Sequence, residues 1–439
     1  MMKKILKISM FMFLAMLLLT ACGGDGDSES SGEDTESEGG TESSSSVIGD
    51  GEVELVFWEF GNTGYDKLIE EYVEQNPNIS INLQNSDMND LHDNLFTSIS
   101  AGSGAPDISM VEEAQIERYR DAESAFHNLY DLGADAVEGN YLDWVFQNGG
   151  NADGSFLFGL PTDIGPTVMF YRTDVFEEAG LESSPEAVAE LISTWEDYEA
   201  VAKEINEKTG KLMTDAGELV FNARRDQAEK QYFNEDDELI IAEHDEIKEA
   251  YDYVANLYDQ GLAGDIPLWT PEWYAGMEEG TYATMLAPAW MQGQLKDNSQ
   301  EEGVWSITTM PEGAGNWGGS YLTVPSESEH PEEAYKFIEW LTAPEQQLKS
   351  FSDYGLFPSS PQVYEMEEFK NFTDDYFGGI PTAQIFSEAA QQVIPVYKGR
   401  LYYSVDEELK QAIDNMAAGE DAQAEWDEAI ERIERILQR

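Results

Sequence analysis

The chain has 439 residues, enough for two domains with full cores, and its 24 Lys+Arg against 88 Asp+Glu give a net charge of −64. Such a field repels DNA and RNA, which are bound by Lys and Arg neutralising phosphates, and it excludes nucleic acid as a partner. A hydrophobic share of 41% with 12% aromatics excludes a wholly disordered chain, so the acids read as the surface of a folded body in saline or alkaline surroundings, where salt screens their repulsion.

Lys3, Lys4 and Lys7 precede an apolar run from Met10 to Leu19. The run is shorter than the ~20 residues a membrane span needs and has the length of a secretory signal core. Leu19-Thr20-Ala21-Cys22 follows and resembles the bacterial lipobox. That resemblance implies an acylated Cys22 (diacylglycerol with palmitate-type chains) as the mature N-terminus and a body held at the extracytoplasmic face of the cell membrane. Cys22 is the single cysteine, so no internal disulfide is expected. Residues 1–22 are thus read as signal peptide and lipobox. Residues 23–50, Gly, Ser, Thr and acids with almost nothing apolar beyond Val47 and Ile48, are read as a flexible acidic tether.

From Val53 the period switches repeatedly. Val53 to Trp58 reads as a strand, and Tyr65, Leu68, Ile69 and Tyr72 mark one face of a helix ending before Pro77. Ile79–Leu83 alternates as a strand, Leu91–Ile99 reads as a helix closed at Gly102, and Asp107–Val111 is a third strand. This βαβαβ rhythm predicts a mainly parallel sheet flanked by helices. Asn151-Ala152-Asp153-Gly154 reads as a turn. Further on, Thr167–Tyr171, Tyr282–Ala287 and Val304–Thr308 read as strands. Thr194 caps a helix, Glu246–Leu262 and a segment opened by Pro331 are helices, and Trp426, Ile430, Ile433 and Leu437 line a last one.

Several blocks in this order carry a resemblance: Trp58-Glu59 at a strand end, Gly104-Ala105-Pro106-Asp107-Ile108, Leu160-Pro161-Thr162-Asp163 leading to Phe170-Tyr171-Arg172-Thr173-Asp174, and Pro331-Glu332-Glu333-Ala334 with Leu341-Thr342-Ala343-Pro344-Glu345. From Val53 to the C-terminus the chain resembles the family 1 extracellular solute-binding proteins of ABC importers, the maltose-binding-protein class. The resemblance implies two α/β lobes, each a mainly parallel sheet flanked by helices, with a ligand cleft at the hinge. The lobes are expected to be discontinuous: 51–162 with 309–361, and 163–308 with 362–439. It implies a monomer that captures a sugar or oligosaccharide and hands it to an ABC transporter permease, without cofactor or catalysis. Another small solute (a peptide, polyamine or metal chelate) stays open as ligand, as does a secreted carbohydrate-active enzyme.

Ligands of open α/β sheets lie beyond the carboxyl ends of strands, which points to Trp58 and Glu59, and to Glu112 and Glu113. Aromatic faces suit sugar rings, which adds Trp269, Trp273, Trp290, Trp317, Tyr402 and Tyr403 as candidates. The resemblance places a ligand-facing aromatic at Trp290 and a stacking one at Tyr402, a glycine turn against the ligand at Trp317-Gly318-Gly319-Ser320, and a hydroxyl acceptor at Asp163. Gly313-Ala314-Gly315-Asn316-Trp317-Gly318 matches G-x-G-x-x-G, but Pro311 before it and Tyr321-Leu322-Thr323-Val324 after it deny the strand–turn–helix setting that a nucleotide site needs. The four histidines are scattered without metal-ligand spacing, and no nucleophile motif occurs.

Overall fold

The computed structural model describes residues 44–438 apart from Ala152; the leader, Cys22 and most of the tether lie outside the described residues. Ten strands are found among those residues. They are β1 Ser44–Ile48, β2 Val53–Phe60, β3 Ile79–Ser86, β4 Ile108–Glu112, β5 Gly159–Arg172, β6 Leu212–Thr214, β7 Tyr282–Pro288, β8 Trp305–Thr308, β9 Asn316–Thr323 and β10 Phe357–Pro358. The architecture is α/β with two lobes, as expected. The strands are mixed rather than mainly parallel. β2 runs parallel to β3 and β4, and β6 parallel to β7. β9, however, enters antiparallel between β4 and β5, and β7 and β8 lie antiparallel to β5. The chain returns to the first sheet late, and periodicity carries no record of the direction of that return.

β5 joins the two sheets. Its first half pairs with β9 and β10, and Thr167–Arg172 pair with β7 and β8. The sequence reading covers only Thr167–Tyr171 of it; the remainder carries Pro161 and Pro166, residues uncommon inside paired strands. Both prolines sit where the β5–β9 register shifts, and a bulge interrupts the ladder where the missing N–H would have donated. At the crossing, a Cβ on Gly165 would stand 1.9 Å from the Trp317 carbonyl oxygen, so only glycine lets the two backbones pass.

Ser44–Ile48, assigned to the tether from composition, instead forms β1 on the outer edge of β3. A short, serine-rich edge strand satisfies the backbone groups of β3 while burying little, which is why hydrophobic patterning misses it. The helices follow their local signals. Thr194 caps Trp195–Thr209 with a reciprocal Asp197 contact, Asp87 caps Met88–Ala101, and Gly102 closes it in the left-handed region. One apolar core (Leu55, Phe57, Ile81, Phe337) lies beneath the first sheet and another (Tyr171, Tyr198, Phe221, Leu286) beneath the second. A third, with Phe158, Phe170 and Phe357, runs along β5.

Candidate functional site

The ends of β4 and β9 and the middle of β5 converge where β5 leaves the first sheet. Two adjoining narrow crevices lie there, sharing Glu113, Trp144 and Asn316 in their walls. Asp163, Gly318 and Gly319 line the smaller one, and Asp226, Gln231, Lys398 and Val393–Val396 the larger.

Asn316 organises this junction. Its Oδ1 accepts from the Gly165 N–H (2.8 Å), while its Nδ2 donates to Glu113 Oε2 (2.8 Å) and the Gly318 carbonyl (2.9 Å). Glu113 also accepts weakly from Asn148 Nδ2 (3.4 Å), and burial raises its carboxyl while Lys398 pulls it back. Asp163 is paired with Ser320 across the sheet and accepts from the Thr162 hydroxyl at 2.6 Å; that hydroxyl also faces the Ser320 carbonyl. Burial pushes Asp163 up to about 7 against the pull of these donors. Gly319 has φ +120°, and a Cβ there would meet the Asp163 carbonyl at 2.8 Å, so the glycine turn is sterically required.

Not every acid at a strand end faces the crevice. Glu59 is buried and spends its oxygens locally, on the Thr63 hydroxyl (2.6 Å) and Asn85 Nδ2 (3.2 Å); burial lifts it to about 7. Glu112 accepts from the Ala114 N–H at 2.8 Å as the cap of a short helix, and burial with the Glu113 charge lifts it to about 8. The Glu112 N–H donates to His92 Nε2 and His92 Nδ1 faces the Met88 carbonyl. That is the pattern of a neutral imidazole, which burial holds near 4.

Of the aromatics, Trp269, Trp290 and Trp317 form a ladder. Trp269 and Trp290 stack at 6.0 Å and 26°, and Trp290 meets Trp317 at 5.3 Å, edge to face. Trp269 is the outermost, 47% exposed and at φ +65°, an uncommon conformation for so bulky a residue. Trp58 is half-buried against the central core. Trp273 is fully buried and donates its indole N–H to Asp215 (2.6 Å), a core role. Tyr402 is also interior, at 4% exposed. Its hydroxyl donates to Gln231 Oε1 (3.0 Å), Tyr232 lies 4.8 Å from its ring and the Lys398 ammonium 4.6 Å, so a buried network stands where a stacking face was expected. Tyr403 instead reaches across the rim to Asn89 Oδ1 (2.8 Å), and Asn62 Nδ2 to Asp297 Oδ2 (3.0 Å).

Sequence reasoning missed Asn316, Trp144, Asp226, Gln231 and Lys398. Asn316 lay inside the glycine run already singled out. A signal for Lys398 was available: it is a cation closing the apolar run Val393-Ile394-Pro395-Val396-Tyr397 in a chain poor in cations. Among the described residues no group of three or more His, Cys, Asp or Glu could hold a metal ion, and no helix is long and apolar enough to cross a membrane.

The family model described as bacterial extracellular solute-binding protein matches residues 67–374. The arabinooligosaccharide-binding protein of Bacillus subtilis (strain 168) is 27% identical over 82% of this chain and 86% of its own. The lactose-binding protein of Rhizobium radiobacter is 25% identical over 84% of this chain and 93% of its own. A crystal structure of an extracellular solute-binding protein family 1 member superposes with a TM-score of 0.79 at 33% identity, covering 87% of this chain and 99% of that one.

Proposed function

This chain belongs to the bacterial extracellular solute-binding protein family, and we propose that it captures a sugar or oligosaccharide outside the cytoplasm and delivers it to an ABC transporter permease. The observation that carries the reading is the junction at β5. There a ladder of indoles, the outermost about half exposed, stands beside crevices walled by Glu113, Asp163 and Asn316. Indole faces cover the C–H side of a pyranose or furanose, while carboxylates and amides bond its hydroxyls. The sugar-binding relatives support the same ligand class.

In this reading the lobes, built from 51–162 with 309–361 and 163–308 with 362–439, close on the ligand by bending at β5 and the strands beside it. The protein works as a monomer and makes or breaks no bond. Trp58, Glu113, Asp163, Trp290, Trp317, Gly319 and Ser320 are proposed to face or frame the ligand, with Glu59, Glu112 and Tyr402 supporting from behind. Cys22 carries the lipid that holds the body to the membrane, and the acidic surface suits a saline or alkaline medium.

A thermal-shift screen over neutral and charged glycans, peptides and polyamines tests the reading, since a ligand at ~100 Kd adds ~2.7 kcal/mol. A glycan should raise the melting temperature, titrate to one site per chain and be recovered intact. Stabilisation by peptides or polyamines alone, or cleavage of the glycan, would refute the assignment. Lipid labelling that persists in Cys22→Ala would refute the anchor.

A further inference from the structure

Lys398 is held in the wall of the larger crevice by acceptors that leave it poorly served. Its side chain is 12% exposed. The oxygens around its ammonium stand at 3.3 Å (Gln231 Oε1), 3.4 Å (Tyr402 hydroxyl) and 3.9 Å (Asp226 Oδ1). Each has a shorter engagement elsewhere. Gln231 Oε1 accepts from Tyr402 at 3.0 Å, and Asp226 is gripped at two points by Arg225 at 2.9 and 3.0 Å. An ammonium has three protons to donate and no acceptor capacity, so at least one donor direction here is open to a ligand.

Glu113 lines the same crevice from the end of β4, in the first sheet. Lys398 comes from the loop before the helix Tyr402–Ala417, which packs on the core beneath the second sheet. Glu113 is engaged by one good donor, Asn316 at 2.8 Å, and one weak one, Asn148 at 3.4 Å. Its carboxylate has about four acceptor sites. The crevice therefore offers an acceptor from one side of the hinge and a donor from the other. Neighbouring hydroxyls, each able to donate and accept, satisfy both at once.

The surrounding charge decides which sugars fit. Glu113 and Asp226 line this crevice; Arg225 pairs with Asp226, which leaves the Glu113 carboxylate as the acid opposite Lys398, in a chain of net charge −64. A carboxylate on the ligand would gain Lys398 but meet the Glu113 carboxylate in a partly desolvated space, where such repulsion is strongest, within the negative field of the whole chain.

Resting on the carbohydrate reading, we propose that Lys398 is a specificity-determining residue: with Glu113 opposite, it brackets a pair of neighbouring hydroxyls on a neutral sugar, and the Glu113 carboxylate excludes uronates.

The test is calorimetric titration of the full chain with neutral di- and trisaccharides and their glucuronate and galacturonate counterparts, alongside thermal melts. The wild type should bind a neutral glycan at least about 10-fold more tightly than its uronate counterpart. Lys398→Met, which keeps the apolar stem, should weaken neutral binding about 10- to 100-fold, the loss of one charge-assisted hydrogen bond, with the free protein melting within a few degrees of wild type. Glu113→Gln should narrow the gap between neutral and uronate ligands. Unchanged affinity per folded molecule in Lys398→Met, with a lowered melting temperature, would make Lys398 purely structural and overturn the proposal. So would equal wild-type affinity for uronates, a result that needs no variant. A wild type that binds none of these glycans fails at the carbohydrate reading itself, and the two failures are thereby distinguished.

Discussion

Replacing Asp163 by Asn tests the electrostatics of the junction. The side chain is buried, and burial lifts its carboxyl from 3.8 to about 7; the Thr162 hydroxyl and the Ser320 backbone pull it down, and Glu113 pushes it up. The folded chain therefore holds this proton more tightly than the unfolded one, and stability falls as pH rises. The contribution is whole below about pH 4 and gone above about pH 7. Each unit in that window is worth about 1.4 kcal/mol, so from pH 5 to pH 8 the single group costs the wild type about 3 kcal/mol. Asp163→Asn keeps the shape and removes the titration. It loses one accepted bond, a pH-independent penalty of about 1 kcal/mol. Urea or thermal melts at pH 4, 5, 6, 7 and 8 should show the variant about 1 kcal/mol weaker than wild type at pH 4 and below, close to parity at pH 5 and more stable at pH 8, by about 3 kcal/mol net. If the carboxylate also accepts sugar hydroxyls, wild-type affinity should climb over the same range and the variant's should stay flat. Stability curves that run parallel from pH 5 to pH 8 would refute the account of Asp163 as a buried, proton-holding acid.

The two classes of tryptophan should separate. Trp290→Ala should weaken glycan binding by about 30-fold, or ~2 kcal/mol, with a modest change in melting. Trp273→Ala should cost about 3–5 kcal/mol of stability because it empties the core and strands Asp215. The opposite pattern would reverse the assignments. Gly165→Ala forces a Cβ onto the Trp317 carbonyl and should destabilise by about 3 kcal/mol; a melt unchanged from wild type would show that the crossing tolerates more room than its geometry implies. Self-repulsion of −64 charges predicts a melting temperature that rises from low to molar salt, with sucrose at equal osmolality helping less; a flat salt response would contradict the saline or alkaline reading.

Local signals determined the elements that stand on their own chemistry. The 3.6-residue stripe of Tyr65, Leu68, Ile69 and Tyr72, the Thr194 cap and the Pro331 start each became the helix expected, because caps and amphipathic faces act within a few residues. The order of sequence blocks determined the family and with it the two-lobe α/β fold. The glycine turn at Gly318-Gly319 was legible because positive φ leaves a compositional mark. Tertiary structure decided the rest. The full length of β5 was hidden because its prolines are tolerated only where partner strands shift register. β1 was hidden because an edge strand needs its neighbour's backbone more than any apolar pattern of its own. Tyr402 and Trp273 went inward while Trp269 stayed out, although all are aromatic, because burial depends on what packs over a ring and not on the ring itself. Asn316, Glu113 and Lys398 are far apart in sequence; Asn316 meets Glu113 because β9 returns between β4 and β5, and Lys398 joins them from the loop before Tyr402–Ala417. Pairwise contact over such separations is a property of the folded backbone, and single-residue chemistry carries no trace of it.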